Sequence, residues 1–442
     1  MIQLSDHFDC KRLLRFTFPS IIMMVFTSIY GVVDGFFVSN YAGKTAFAAV
    51  NFIFPVLIIL GCAGFMLGTG GGALIAKTLG EGNQRKANEI FSLLVLAGVA
   101  LGVALGAAGI ALLPAVASLL GAEGQMWEDC VTYGRIILAA LPFYVLQMEF
   151  QCLFATAEKP KLGLAVTVAA GVTNMVLDGL FVGAFRWGVV GAAAATAFSQ
   201  VVGGVIPLIY FARENSSLLR LTRCAFDGRA LLAACSNGAS ELMSNISMSV
   251  VSMLYNGQLM AKAGEDGVAA YGVLMYVSLV FQAIFIGYAV GTAPVVGYHY
   301  GAGNQGELKG LLRRSAALIG GFSAAMCLAG ETLGRPLSVI FVGYDPDLLD
   351  MTAHAFAIFS VSFLFSGFAI FGSSFFTALN DGLTSALISF LRTLVFQCAA
   401  VIVFPIFWGL DGIWWSIVAA EVMAVAVTLV FLAVKRKRYG YA

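Results

Sequence analysis

Charge is what this sequence has least of. Lys, Arg, Asp and Glu make up only 11% of its 442 residues, and they nearly cancel, with 25 basic against 24 acidic side chains. No long basic or acidic tract occurs, so nucleic acid is not expected as a partner. Histidine is reduced to His7, His299 and His354, and the eight cysteines include no CxxC spacing of the kind that holds zinc. Cys62, Cys152, Cys235, Cys327 and Cys398 lie in apolar runs. A phosphate-binding loop is missing too: the run Gly68 to Gly72 lacks the Lys and Ser/Thr that must follow. Small residues at a helix contact explain it better. Met1 to Arg15 is polar and leads straight into a full-length apolar span, so no cleaved signal peptide is expected and the first span acts as its own insertion signal.

What the sequence has instead is apolar length. It is 60% hydrophobic with 50 glycines and a mean hydropathy of +0.90, a balance that excludes a soluble globular domain and marks a multi-helix membrane protein. Twelve apolar runs are long enough to cross about 30 Å of hydrocarbon. They cover residues 17–40, 48–77, 89–114, 130–157, 160–182, 188–211, 230–260, 267–297, 309–331, 349–378, 384–406 and 412–434. With the N-terminus cytoplasmic, the inner segments carry roughly 19 Lys and Arg against about five outside, the positive-inside pattern. Both termini are therefore expected in the cytoplasm, and the chain in a bacterial cytoplasmic membrane.

The twelve runs form two sets of six. Residues 212–229, the longest polar stretch, carry Arg213, Arg220, Arg223 and Arg229 and separate an N-terminal half (1–211) from a C-terminal half (230–442). Gly80, Glu81, Gly82, Asn83 and Gln84 recur as Gly301, Ala302, Gly303, Asn304 and Gln305, and Trp187, Gly188 and Gly191 recur as Trp408, Gly409 and Gly412. Both recurrences lie about 221 positions on, the mark of an internal repeat. An even number of spans per repeat makes the two bundles insert in the same direction, related by a pseudo-two-fold axis along the membrane normal. Two parallel bundles facing one cleft is a transporter plan.

Charged residues inside spans are costly and become functional candidates by default. Asn174 and Asp178 are four apart, on one helical face. Thr196 lies about as far inside its span as Asn174 does, roughly 12 Å at 1.5 Å per residue. Asp34 is about as deep in the first span as Asp178 is in the fifth. Two carboxylates converging in a low-dielectric interior cannot both stay ionised without a cation, so either Na⁺ binds or one of them takes a proton. The bland alternative is that these groups only hydrogen-bond neighbouring helices.

The turns Gly80–Asn83 and Gly301–Asn304, the run Trp187–Thr196 followed by Ser199 and Gln200, and the six-plus-six repeat resemble the multidrug and toxic compound extrusion (MATE) exporters over essentially the whole chain. Asn237, Gly238, Ala239, Ser240 and Glu241, followed by Met243 to Tyr255, are similar to the branch that holds multidrug exporters of Gram-positive bacteria. The resemblance implies a V-shaped pair of six-helix lobes exporting bulky, often cationic compounds in exchange for Na⁺ or H⁺. It also implies a cation site at Asp34, Asn174, Asp178 and Thr196, and a bending proline at Pro19. Residues 352–380 lack the acidic side chain that some branches use on the tenth helix, so a coupling site of that kind is not expected in the second half.

Other polar residues in spans have less defined roles. Glu241 and Arg392 are expected either to pair or, for Glu241, to face the cleft and attract a cation, with Arg392 structural or gating. Gln147, Glu149 and Gln151 suggest one polar, cleft-facing strip on the fourth span, and Glu421 is a similar case. Met243, Met248, Met253, Met260 and Met275, with Tyr255, Tyr276 and Phe281, suit a promiscuous site for flat or cationic compounds, although ordinary packing or lipid contact accounts for most such residues. The expectation is a monomeric ion-driven antiporter, not an enzyme, whose partners are small organic substrates and membrane lipids and whose only cofactor is the coupling ion. The alternative is a flippase for lipid-linked saccharide precursors, which would need positive charge facing the cleft.

Overall fold

The computed structural model describes residues 2–343 and 345–441; Met1 and Ala442, the expected outer ends of the two halves, lie outside the described residues. The described residues fold as an all-α membrane protein of twelve spans. These are α1 (Cys10–Ala42), α2 (Lys44–Gly80), α3 (Gln84–Leu119), α4 in two arms (Gly124–Ala139 and Leu141–Thr156), α5 (Pro160–Ala184) and α6 (Gly188–Ala212). The second half repeats them as α7 (228–263), α8 (265–301), α9 (Gln305–Val342), α10 in two arms (Pro346–Ser360 and Phe363–Ala378), α11 (382–408) and α12 (410–439).

α7 and α8 follow each other so closely that residues 228–301, as one straight rod, would be about 110 Å long, several times the hydrocarbon thickness. The chain instead reverses at Gly264, whose φ of 63° suits a residue without Cβ. Tyr255 and Tyr271 consequently stack with ring centroids 5.3 Å apart, although 16 residues of straight helix would separate them by ~24 Å. Gly409 (φ 59°) turns α11 into α12 in the same way.

The repeat read from the sequence recurs in these turns. Positive φ at Gly43, Gly82 and Gly188 returns at Gly264, Gly303 and Gly409, at the same offset as the sequence repeat. Asn83 and Asn304 cap α3 and α9, each side chain accepting a backbone N–H three residues on. The arms of α4 meet at 58° and those of α10 at 49°.

The two six-helix bundles are sealed together on the face that carries both termini. Within the Gly68–Gly72 run of α2, Gly70 serves this seal, whereas Gly68 and Gly72 pack on α4 and Gly71 on α3 of the same bundle. A Cβ on Gly70 would collide with the Ala234 carbonyl of α7, and one on Gly238 with the Met66 carbonyl of α2. Gly80 and Gly301 likewise bring α2 and α8 into backbone contact, the close approach that small residues permit in membranes. Toward the opposite face the bundles part. Gly31 of α1, Gly257 of α7 and Gly272 of α8 have open space beside them, and Met248 and Met253 of α7 are 58% and 72% exposed. The result is a V that is closed at the terminus face.

Two extended segments reinforce the closed end. Before α1, Leu4 and Phe8 are fully buried. The Leu4 N–H donates to Glu158 Oε1 in the first half (2.5 Å), and the Phe8 N–H donates to Glu307 Oε1 in the second (3.0 Å). His7 Nδ1 and Arg314 Nη1 also meet the Glu307 carboxylate, at 2.6 and 2.9 Å. Before α7, residues 213–227 run along α3. The Arg220 and Thr222 N–H groups donate to Asn88 Oδ1 and Ser92 Oγ, and Lys86 pairs with Asp227 at 2.9 Å. The first segment thus bridges the two halves, and the second ties the entry of α7 to α3 of the first half.

Candidate functional site

The N-terminal bundle gathers its polar residues where α1, α4, α5 and α6 meet. Asp34, part-buried on α1, interacts with Asp178 and Asn174 of α5 and with Thr196 of α6. Asn174 and Asp178 are buried, at 1% and 0% exposure. The Asn174 amide reaches Thr196 Oγ1 at 3.5 Å. Asp34 Oδ1, Asn174 Oδ1 and both Asp178 carboxyl oxygens are buried without a protein hydrogen-bond donor. Buried acceptors of this kind are expensive unless satisfied. Two carboxylates, an amide carbonyl and a hydroxyl form an all-oxygen donor set, which fits a hard cation, and the paired carboxyls equally fit a shared proton.

Backbone geometry marks the same residues. The three π-helical segments among the described residues are Val38–Ala42, Asp178–Ala184 and Leu391–Val395. The first takes its opening N–H, that of Val38, to the Asp34 carbonyl, the second begins at Asp178, and the third contains Arg392. Such bulges widen a helix locally and concentrate at functional sites. Pro19 lies inside α1, which runs from Cys10 to Phe37 without a break.

Tyr30 and Tyr133 complete the pocket and escaped the sequence reading. Tyr133 on the first arm of α4 is 2% exposed and faces Asp34, Asp178 and Thr196. Tyr30 lies close to Gln147 and Asp34. Gln200 is one turn beyond Thr196, buried, with Oε1 unpartnered. A phenol in an apolar run must find a hydrogen-bond partner, which was the available signal; the bend of α4 that brings Tyr133 here has no local signature.

Several expectations need correction. Gln147, Glu149 and Gln151 do not form one strip. Gln147 packs on Gly203 of α6, whereas Glu149 packs on Gly98 of α3, because residues two apart point about 200° apart around a helix of 3.6 residues per turn. Arg392 does not pair with Glu241. Its Nε lies 2.9 Å from Glu421 Oε2 on α12, with both side chains largely buried. Tyr255 is no cleft residue: it is 1% exposed, and its hydroxyl bonds Gln397 Oε1 (2.7 Å) and Ser416 Oγ (2.8 Å). Glu241 stands where α2 and α7 diverge, near Cys62 and Cys152, at the apex of the cleft. Met243, two residues further along α7, is half-buried.

Known proteins of similar sequence and shape have the same plan. The chain is 23% identical to the multidrug export protein MepA of Staphylococcus aureus (strain MSSA476) over 429 residues, covering 97% of this chain and 94% of that protein. It is 24% identical to MepA of Staphylococcus saprophyticus over the same length and shares. Among solved structures, a MATE in the straight conformation superposes with a TM-score of 0.93 at 22% identity, covering 99% of this chain and 98% of that one. The outward-facing conformation of a multidrug resistance MATE transporter of the MOP superfamily gives 0.92 at 23% identity, covering 98% and 97%. The MatE family model matches twice, over residues 19–180 and again over 241–402, one match to each half of the repeat. These two matches take in most of the sequence, and the chain belongs to the MatE family.

Proposed function

We propose that this protein is a secondary active antiporter of a bacterial cytoplasmic membrane, exporting toxic or drug-like and often cationic organic compounds in exchange for Na⁺ or H⁺. The observation that carries the reading is the convergence of Asp34, Asn174, Asp178 and Thr196, with their unsatisfied buried oxygens, inside one bundle of a transporter fold. In the proposed cycle the V, closed at its cytoplasmic end, takes up the ion at these four residues. Ion uptake displaces substrate from the cleft, the bundles rock, the ion leaves to the cytoplasm, and new substrate binds. Coupling needs ion and substrate to prefer different states, since a ligand of equal affinity for both shifts nothing. Glu241 at the cleft apex supplies negative charge for a cationic substrate, and the exposed methionines of α7, including Met248, supply an adaptable apolar wall.

A flippase for lipid-linked saccharides is less well supported. Its diphosphate would require free positive charge facing the cleft, and Arg392 is already committed to Glu421.

The test is dye efflux from proteoliposomes under a Na⁺ gradient at constant pH and, separately, under a pH gradient without Na⁺. Wild type is expected to export under at least one gradient. Asp178→Asn is expected to be folded and to lose gradient-driven export at least tenfold. Export by the variant at the wild-type rate would remove the N-bundle coupling site, and no export by wild type under either gradient would favour a specialised lipid-linked substrate.

A further inference from the structure

The C-terminal bundle holds a polar cluster at the position that the repeat assigns to the N-terminal site. Tyr255 stands at the sequence-repeat equivalent of Asp34, and Glu421 at that of Gln200. Ser416 falls one residue from the equivalent of Thr196 and Gln397 two from that of Asn174, on the equivalent helices α12 and α11. The two clusters differ in how their polar atoms are satisfied. In the N-terminal cluster the oxygens of Asp34, Asn174 and Asp178 are orphaned. In the C-terminal one, the Tyr255 hydroxyl joins Gln397 and Ser416, and the single carboxylate, Glu421, receives the Arg392 Nε on both of its oxygens, at 3.1 and 2.9 Å. Arg392 sits in the π-helical segment of α11, at the repeat equivalent of Gly171 and about two turns before that of Asp178, so the guanidinium approaches the cluster from a different level of the helix.

We infer that the C-terminal bundle keeps the pseudo-symmetric counterpart of the ion site with its cation built in: the tethered Arg392 guanidinium, held by Glu421, occupies permanently the role that an exchangeable ion plays in the N-terminal bundle. An arginine cannot lose its proton under these conditions and cannot leave. This bundle therefore has the same electrostatic state in every step of transport, and the chain exchanges ions at one site only. The inference rests on the N-bundle coupling site proposed above.

Chemical replacement of the tethered cation is the direct test. Purified full-length Arg392→Ala is expected to melt several degrees below wild type, and millimolar guanidinium ion is expected to recover most of that loss. NaCl at equal ionic strength should recover none. Wild type and the double variant Arg392→Ala/Glu421→Gln, which has no buried charge to neutralise, should gain nothing from guanidinium. Equal responses of Arg392→Ala to guanidinium and to NaCl would overturn the inference. Where Arg392→Ala yields no folded protein, the double variant decides: folding restored by neutralising Glu421 supports a charge-balancing role, and a double variant as defective as the single one overturns it. Counting exchangeable ions per chain, as bound radioactive Na⁺ or protons released on substrate binding, separates the two bundles. One ion, lost in Asp178→Asn, supports both assignments, and a second ion that survives in Asp178→Asn overturns the built-in cation. Absence of any exchangeable ion would sink the N-bundle reading while leaving the guanidinium result to stand on its own.

Discussion

Asp34 and Asp178 meet because α1 and α5 pack side by side, and their charge is tolerable inside the bundle only when shared with a cation or a proton. The neighbouring Tyr133 adds a second hydroxyl to that of Thr196, so the site is not two carboxylates in oil but a pocket with hydroxyls and several acceptors. Glu241 is a different case. It lies at the cleft apex, outside this pocket and without a basic partner among the ion pairs of the described residues. Glu241→Gln is expected to raise several-fold the concentration of a cationic dye needed for half-maximal efflux, with efflux of an uncharged substrate changed less than twofold. An equal loss for both classes would make Glu241 a packing residue. The shared face of Asn174 and Asp178 followed from their i, i+4 spacing, whereas Thr196 entered only through a matching depth and the family resemblance. Tyr133 was not legible, because nothing in its own stretch says that α4 bends toward α5.

At the scale of elements, the glycines of α2, α7 and α8 decide how closely the two bundles approach. Gly70, Gly80, Gly238 and Gly301 lie where backbone meets backbone across the seam. Adding even one methyl group there forces the helices apart, and overpacking of this kind costs about 1–3 kcal/mol. Gly238→Ala is expected to lower the melting temperature and to loosen the seam, read as faster labelling of a cysteine introduced at Ala234 from the terminus face. Unchanged labelling would show that the seam has slack that the packing does not suggest. The glycine run in α2 was correctly read as a helix contact, but its partner was not readable, because small residues permit an approach without specifying from which side.

The whole molecule is held in its closed-end V by the seam and by the two crossing segments. Glu307 is the centre of one of them. Burial pushes its carboxyl up, but the Phe8 N–H, His7 and Arg314 outweigh burial and hold it below the usual glutamate range. A lowered folded-state value means that this clasp contributes fully above the ordinary glutamate pKa, about 4.3, and is lost as pH falls through the lowered value. The difference in melting temperature between wild type and Glu307→Gln should therefore be present at neutral pH and shrink toward zero on acidification. A difference that stays constant below pH 4 would mean that Glu307 acts through packing and not through charge. Rocking the bundles open at this face requires the clasp to release Glu158 or Glu307, so Glu307→Gln is also expected to shift spin-label distances across the terminus face toward longer values.

The lipid surroundings, the number of spans, the six-plus-six repeat and the residues too costly to place in lipid without a purpose can all be read along the chain. Each of these follows from local quantities: hydropathy summed along a segment, similarity at a fixed offset, and the penalty for burying a charge. Which partner each of those residues takes emerges only once the helices are packed. One residue turns a helical face by about 100°, so Gln147 and Glu149 diverge to different neighbours, and Arg392 reaches Glu421 across the Gly409 turn and not Glu241. Partner choice depends on helix rotation and on contacts between segments far apart in the chain. Neither property is written in any stretch that a reader of the sequence can examine alone.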